Sequence, residues 1–388
     1  MPIFTSQLPL SLYIHLPWCV QKCPYCDFNS HEAKGSLPEE LYVIALMQEL
    51  DNHRALLSGR PIHTIFFGGG TPSLFSAQMI GRIIEGIDQR IPLIPHTEIT
   101  MEANPGTIDQ VRFNDFRKAG INRLSLGLQS LQDDKLKQLG RIHDSEQAMR
   151  AIGIAKAAGF DNFNLDLMYG LPNQSIDDAL YDLQTALSFQ PTHLSWYQLT
   201  IEPNTVFYKH TPVLPHDDLI YDMQLAGQAT LNTHGFAQYE VSAYSQPNRQ
   251  CAHNVNYWEF GDYLGLGAGA HSKITQIDQD RIIRFSQVKQ PRDYLDRNKR
   301  RIISATSTHY QILSESDRLF EFMLNGLRLT QGVATDLFTQ RTGLALEKIT
   351  PLLMRAQAKG LLQHHAEKLC ATKQGARYLN DLVSLFLE

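Results

Sequence analysis

The sequence predicts an α/β fold, an incomplete parallel (β/α)6 barrel followed by a small α-rich C-terminal domain of the winged-helix kind. Three observations carry this reading. Strand-like and helix-like segments alternate with a spacing of roughly thirty residues, as repeated βα units require. Residues able to do chemistry recur at the ends of the strand-like segments, where a parallel barrel keeps its active site. From about Ser314 the alternation gives way to helical sequence. A doubly wound sheet is the competing arrangement.

Each element follows from its own residues. LSLYIHL (10–16) reads as the first strand, followed by a cysteine-bearing loop and a helix from about Pro38 to Leu57. HTIFFGGG (63–70) is a buried strand running into glycines, with a helix from about Ser76. TEITMEANP (97–105) comes next, then helical VRFNDFRKAG, whose Gly120 reads as a helix stop. INRLSLGLQS (121–130), FDNFNLDLMYG (160–170) and THLSWYQLT (192–200) complete six strands. Beyond Pro215 lie a helix, LIYDMQLAGQATLNTHG, and an aromatic-rich, loop-like stretch, AQYEVSAYSQPNRQCAHNVNYWEFGDYLGLGAGAH. SDRLFEFMLNGLRL and ALEKITPLLMRAQAKGLLQHH are helical, and a short hairpin and a terminal helix close the chain. The organisation expected is a core domain over 1–235, a connecting region over 236–310 and a C-terminal domain over 311–388.

Composition narrows the function. The 388 residues, 43% hydrophobic and 19% charged, suit one large domain plus a smaller one, each with its own core. A formal net charge of −5 gives no basic footprint for nucleic acid. MPIFTSQLPLSLYIHLPWC does not read as a signal peptide, and no apolar run is long enough to span a bilayer. Five cysteines, three of them clustered, argue against a disulfide framework and for a metal or redox role in a reducing cytoplasm.

The cluster is WCVQKCPYC (18–26), which spaces Cys19, Cys23 and Cys26 as C-x-x-x-C-x-x-C. Most thiolate metal sites use four ligands. A zinc site with His15 or His31 as the fourth is one reading. An iron–sulfur cluster on three thiolates is the other, and it leaves one iron with an open position.

Further polar groups align with these cysteines. Gly69, Gly70 and Thr71 follow the second strand, and glycines there let backbone approach a ligand, although a bare tight turn has the same sequence. Glu102 sits inside an apolar strand, where a carboxylate must be paired or bind something polar. Gln129, Arg141 and Asp166 offer further donors and acceptors, with Arg141 also readable as a solvated charge at a helix end.

The three-cysteine spacing, with Tyr25 before the last cysteine and GGGTP downstream, resembles the radical S-adenosylmethionine superfamily. YIHLPWC, CPYCDFNS, FFGGGTPS, MEANPGT, RLSLGLQS, LGRIH and NLDLMYGLP resemble its oxygen-independent coproporphyrinogen dehydrogenase group. The resemblance implies a [4Fe-4S] cluster on Cys19, Cys23 and Cys26, its open iron chelated by S-adenosylmethionine. It further implies that Tyr13, Gly69, Gly70, Thr71 and Glu102 contact that molecule. Gln129, Arg141 and Asp166 match positions that hold a second S-adenosylmethionine in the dehydrogenase.

One departure redirects the expectation. The dehydrogenase pattern carries a fourth cysteine two residues after the third, and here that position is Phe28. This resembles the heme-chaperone branch of the group, as does HNVNYW (253–258). That branch implies heme as cargo, acceptor hemoproteins as partners, membrane-bound respiratory proteins among them, and His253 as the leading heme ligand, with Cys251 as the alternative. The competing activity is oxidative decarboxylation of coproporphyrinogen III to protoporphyrinogen IX.

Overall fold

The structure, a computed structural model, describes residues 4, 7–107, 109–299 and 307–387. The six expected strands are β1 (Leu10–Leu16), β2 (Ile62–Gly69), β3 (Leu93–Ala103), β4 (Arg123–Gln129), β5 (Phe163–Tyr169) and β6 (His193–Gln198). They pair in that order and all in parallel, so the incomplete (β/α)6 barrel is the fold observed. Helices α1 (Glu39–His53), α2 (Ala77–Asp88), α3 (Gln110–Lys118), α4 (Asp133–Gln138), α5 (Ser145–Ala157) and α6 (Ile176–Ser188) fall between the strands.

Local chemistry fixes the helix starts. Ser76 caps α2 and donates to Glu39, at the start of α1, at 2.6 Å, tying two helix N-termini together. Asp144 with Gln147 and Ser175 with Asp178 form capping boxes on α5 and α6.

The strands alternate, and the alternation sorts the two faces of the sheet. Leu10, Leu12, Ile14, Leu124, Leu126, Leu165 and Leu194 belong to the main hydrophobic core with the helices. The intervening residues turn into the barrel and bond one another: Thr64 donates to Ser11 at 2.8 Å, Ser125 to Asp166 at 2.8 Å and Ser195 to Asn164 at 3.1 Å. The lumen is therefore polar.

The stretch read as loop-like departs from expectation. After α7 (Asp217–Thr233), β7 (Ala237–Glu240) and β8 (Ala243–Ser245) extend the sheet beyond β6. Helix α8 (Ala252–Trp258) follows, then β9 (Asp262–Leu266), β10 (His271–Gln276), β11 (Arg281–Gln287) and β12 (Ser307–Ile312). Among the described residues this makes one twelve-stranded sheet, order β12-β11-β10-β9-β1-β2-β3-β4-β5-β6-β8-β7. β9 lies parallel to β1, so a strand from the connecting region seals the first barrel strand. Residues 300–306 of that region lie outside the described residues. Asp262 pins the join, accepting from Arg60 at 2.7 Å and Lys273 at 3.1 Å with no exposure to solvent.

A second core, with Phe322, Phe338, Leu362 and Leu382, organises the C-terminal helices around a short pairing of Val333–Ala334 with Lys368–Leu369. Its first helix, α9 (Glu315–Gly326), docks on the sheet through Glu321, which binds Arg284 of β11 at 2.5 Å.

Candidate functional site

The loop after β1 carries the three cysteines. Trp18 anchors it, its ring 4.9 Å from that of Tyr42 on α1, and Ala33 N–H donates to Cys19 C=O at 2.8 Å. A turn from Cys26 N–H to Cys23 C=O, 3.1 Å, links the second and third cysteines. Burial pushes the Cys19 and Cys26 thiols up, opposed at Cys19 by a hydrogen bond from Thr71 and at Cys26 by one from Ser30. The histidines considered as a fourth zinc ligand are engaged elsewhere. His15 Nε2 faces the Asn29 carbonyl at 2.9 Å and must donate, so Nδ1 accepts from the Tyr13 hydroxyl at 3.0 Å. Burial holds His15 neutral, its pKa pushed down to about 4. His31 Nε2 lies 3.2 Å from Asn29 Oδ1. Among the described residues, no three His, Cys, Asp or Glu side chains are grouped to hold a single metal ion.

The glycines lie against the cysteine loop. Gly69 has φ +117°, and a Cβ there would lie 2.7 Å from the His15 ring. A Cβ on Gly70 would lie 2.5 Å from the Trp18 carbonyl oxygen. Both positions therefore demand glycine, which answers the bare-turn reading: the backbone of β2 and the cysteine loop pass in contact. Thr71 N–H donates to Trp18 C=O at 2.7 Å, completing the seam.

Glu102 accepts from Gly69 N–H at 3.3 Å, and its pKa is pushed up to about 8, first by burial and then by Asp166. Asp166, itself raised by burial, is held by Ser125 and Asn164, each at 2.8 Å. Gln129 sits at a bulge with φ +63°, a strained position for a non-glycine residue. Its Oε1 and Arg141 Nε are buried without a hydrogen-bond partner among the described residues. Arg141 otherwise donates to Gly127 C=O at 2.8 Å and Cys23 Sγ at 3.5 Å, so it is not a solvated end charge. Tyr25 packs against Phe207, and burial raises its phenol.

Eleven of the thirteen expected site residues line one cavity of about 460 Å³: Cys19, Cys23, Tyr25, Cys26, Gly69, Gly70, Thr71, Glu102, Gln129, Arg141 and Asp166. Tyr13 and His253 are the exceptions. Tyr13 faces a neighbouring cavity of about 560 Å³ that shares Asp27, Phe28, Gly69 and Glu102 with the first. Its other walls come from α8 and from β9 to β11, including Tyr257, Trp258, Tyr263, Lys273 and Arg284. His253 lies behind this wall, 1% exposed, with Nδ1 2.7 Å from Thr64 Oγ1 and Nε2 2.9 Å from the Tyr257 hydroxyl. Cys251 is equally buried, its thiol 3.6 Å from Glu98. Glu98 also accepts from the Ala252 and His253 N–H groups, holding the start of α8 against β3.

Comparison with known proteins fits this geometry. Residues 13–186 match the radical SAM superfamily and residues 313–378 match the HemN C-terminal domain. The heme chaperone HemW of Escherichia coli (strain K12) is 48% identical over 382 residues, 98% of each chain. The chain belongs to the HemW family. The heme chaperone HemW of Haemophilus influenzae is 45% identical over 98% of both chains, and that of Bacillus subtilis 33% over 97% of this chain and 99% of its own. The solved structure of coproporphyrinogen III oxidase (HemN) from Escherichia coli, a radical SAM enzyme, superposes with a TM-score of 0.82 at 22% identity, covering 98% of this chain and 90% of that one. That likeness shows the fold.

Membership of the radical SAM superfamily implies a [4Fe-4S] cluster and S-adenosylmethionine. The residues fit both: three thiols on one cavity, lined also by Gly69, Gly70 and Thr71, with the orphaned polar atoms of Gln129 and Arg141 on the same lining. Sequence reasoning missed the second cavity in this HemW-family chain. Its β10 and β11 walls come from HSKITQ and RIIRFSQ, whose strand character was the available signal.

Proposed function

We propose that this protein binds heme and passes it to acceptor hemoproteins, on a radical SAM scaffold that carries a [4Fe-4S] cluster. The observation that carries the reading is likeness over nearly the whole chain to proteins named heme chaperone HemW, 48% identical in the first case. Support comes from Phe28, which stands where the dehydrogenase pattern has its fourth cysteine, between the two cavities.

Cys19, Cys23 and Cys26 would hold the cluster, and S-adenosylmethionine would complete it. Gly69, Gly70 and Thr71 would take the methionine end through the backbone. Glu102, once ionised, would attract a cationic group of the same molecule. Tyr13 and Tyr25 would pack beside it, and Gln129, Arg141 and Asp166 would supply further polar contacts. When bound, the cluster supplies an iron with an open coordination position. Heme would lie toward His253 and the rest of HNVNYW. Membrane-bound respiratory hemoproteins are the acceptor class, met by a chain that works in the cytoplasm. Five free thiols support a reducing compartment, and among the described residues no helix is long and apolar enough to cross a membrane.

The test is anaerobic reconstitution with iron and sulfide, followed in parallel by hemin titration and by coproporphyrinogen III with S-adenosylmethionine and dithionite. Stoichiometric heme binding without protoporphyrinogen supports the chaperone. Steady protoporphyrinogen formation refutes it and assigns the dehydrogenase reaction. Serine at Cys19, Cys23 or Cys26 should each lower bound iron and sulfide, whereas serine at Cys251 should leave both unchanged.

A further inference from the structure

We propose that His193, at the base of the barrel, is a positioning residue that fixes the Asp166 carboxylate on the wall of the cysteine-lined cavity, acting through the side chain of Asn164. The consequence for binding rests on the reading above, in which Asp166 contacts S-adenosylmethionine.

Glu102 and Asp166, both on that cavity, are held differently. Glu102 takes a hydrogen bond from Gly69 N–H at 3.3 Å. Asp166 accepts one on each oxygen, from Ser125 Oγ and from Asn164 Nδ2, both at 2.8 Å. Asn164 is 2% exposed, and His193, its register partner on β6, 1%. Neither lines the cavity, so neither meets a ligand there.

Hydrogen bonding fixes the direction of the whole chain. An ionised Asp166 only accepts, so the Asn164 atom facing it is the amide nitrogen, which also donates to Ser125 Oγ at 2.8 Å. Asn164 Oδ1 then points away from the cavity and accepts from Ser195 Oγ at 3.1 Å and from His193 Nδ1 at 2.6 Å. Burial, and after it Arg123, keeps His193 neutral. With its one proton on Nδ1, its Nε2 accepts from the Tyr239 hydroxyl at 2.7 Å. Tyr239, on β7, accepts in turn from Cys251 N–H at 3.3 Å. Donors thus run from Tyr239 through His193 and Asn164 to Asp166. The His193 bond is the shortest of those that orient the Asn164 amide, and without it the amide is free to turn from Asp166.

The charge at Asp166 depends on that orientation. Glu102 on β3, Arg123 on β4 and Tyr197 on β6 act on it electrostatically. Burial raises the Asp166 pKa, and the Ser125 and Asn164 bonds together with Arg123 oppose the rise. Loss of a donor therefore moves its ionisation further up.

The test is a pH titration of the full-length protein by NMR, isotope-labelled at the aspartate carboxyl carbons, with the Asp166 signal identified by its absence in Asp166→Asn. His193→Phe should raise the Asp166 midpoint by about one pH unit, the size of one hydrogen bond. His193→Gln, which keeps a donor and an acceptor, should stay near wild type. In an Asn164→Ala background His193→Phe should add nothing, because the intermediary is gone. An unchanged midpoint in His193→Phe overturns the proposal, as does an equal further shift in the Asn164→Ala background, which marks general loosening. Imidazole nitrogen spectra of the wild type need no folded Phe variant: His193 should carry its proton on Nδ1, and a proton on Nε2 overturns the proposal. Equilibrium dialysis of S-adenosylmethionine with reconstituted protein separates the two readings. A midpoint shift in His193→Phe beside unchanged binding in Asp166→Asn upholds the positioning and refutes the Asp166 contact.

Discussion

Replacing Glu102 by Gln separates what the site costs in stability from what it gains in binding. The Glu102 carboxyl titrates at about 8 in place of 4.5, chiefly through burial. Its raised folded value means the native chain binds this proton more tightly than the unfolded chain, so stability falls as pH rises from 4.5 toward 8. Across that interval, at 1.4 kcal/mol per pH unit, the loss reaches about 5 kcal/mol. Glu102 lines a cavity that water can enter, which makes this an upper bound. Gln keeps the shape and can still accept from Gly69 N–H while removing the titration. At an unfolding entropy of about 2.1 cal/mol/K per residue, 388 residues convert each kcal/mol into about 1.2 °C. Calorimetry of cluster-free protein should find the two melting together near pH 5 and Glu102→Gln melting higher by up to about 6 °C near pH 8.5. Asp166, the second cause of the shift, contributes to that gap because removing one carboxylate relieves the other. A gap that stays constant with pH, or a wild type that melts higher at pH 8.5, refutes the reasoning. The same variant should bind S-adenosylmethionine more weakly by equilibrium dialysis.

Two further perturbations test the frame around the site. Gly70→Ala sets a Cβ 2.5 Å from the Trp18 carbonyl oxygen and should cost about 1–3 kcal/mol as overpacking, with lower iron retention after desalting. Gly153→Ala, on α5 with open space around it, is the control and should stabilise by about 0.5–1 kcal/mol. Asp262→Asn leaves the buried Arg60 and Lys273 charges under-compensated and should cost about 3–5 kcal/mol in urea unfolding. An effect below 1 kcal/mol there would show that the join of β9 to the barrel tolerates charge.

Much of the barrel was legible because its information is local. Most of the six parallel strands were marked by an apolar run ending in glycine or a polar residue, and Ser or Asp caps four of the six barrel helices. The site cavity was legible for the same reason: cysteines, glycines and buried carboxylates stand at strand ends whose order in the sheet follows their order in the chain. The region after Pro215 was not. β9 is five residues long, and its partner β1 lies some two hundred and fifty residues earlier, Leu10 to Ile14 against Asp262 to Leu266. Nothing local to DYLGL specifies that pairing, and the loss of loop entropy it requires is recovered only by burial against β1.

What the sequence by itself determined is the fold class, the three-thiol loop and the glycine cradle, because spacing and residue type within short segments dictate them. What only the tertiary structure decided is the second cavity, and that Tyr257 and Trp258 of HNVNYW line it while His253 does not. On a single helix, His253 and Tyr257 are merely neighbours one turn apart. Thr64 from β2, Ser11 from β1 and Asn256 make them a directed pair. Those partners lie up to 245 positions apart along the chain, and only packing α8 against the barrel brings them within hydrogen-bond reach.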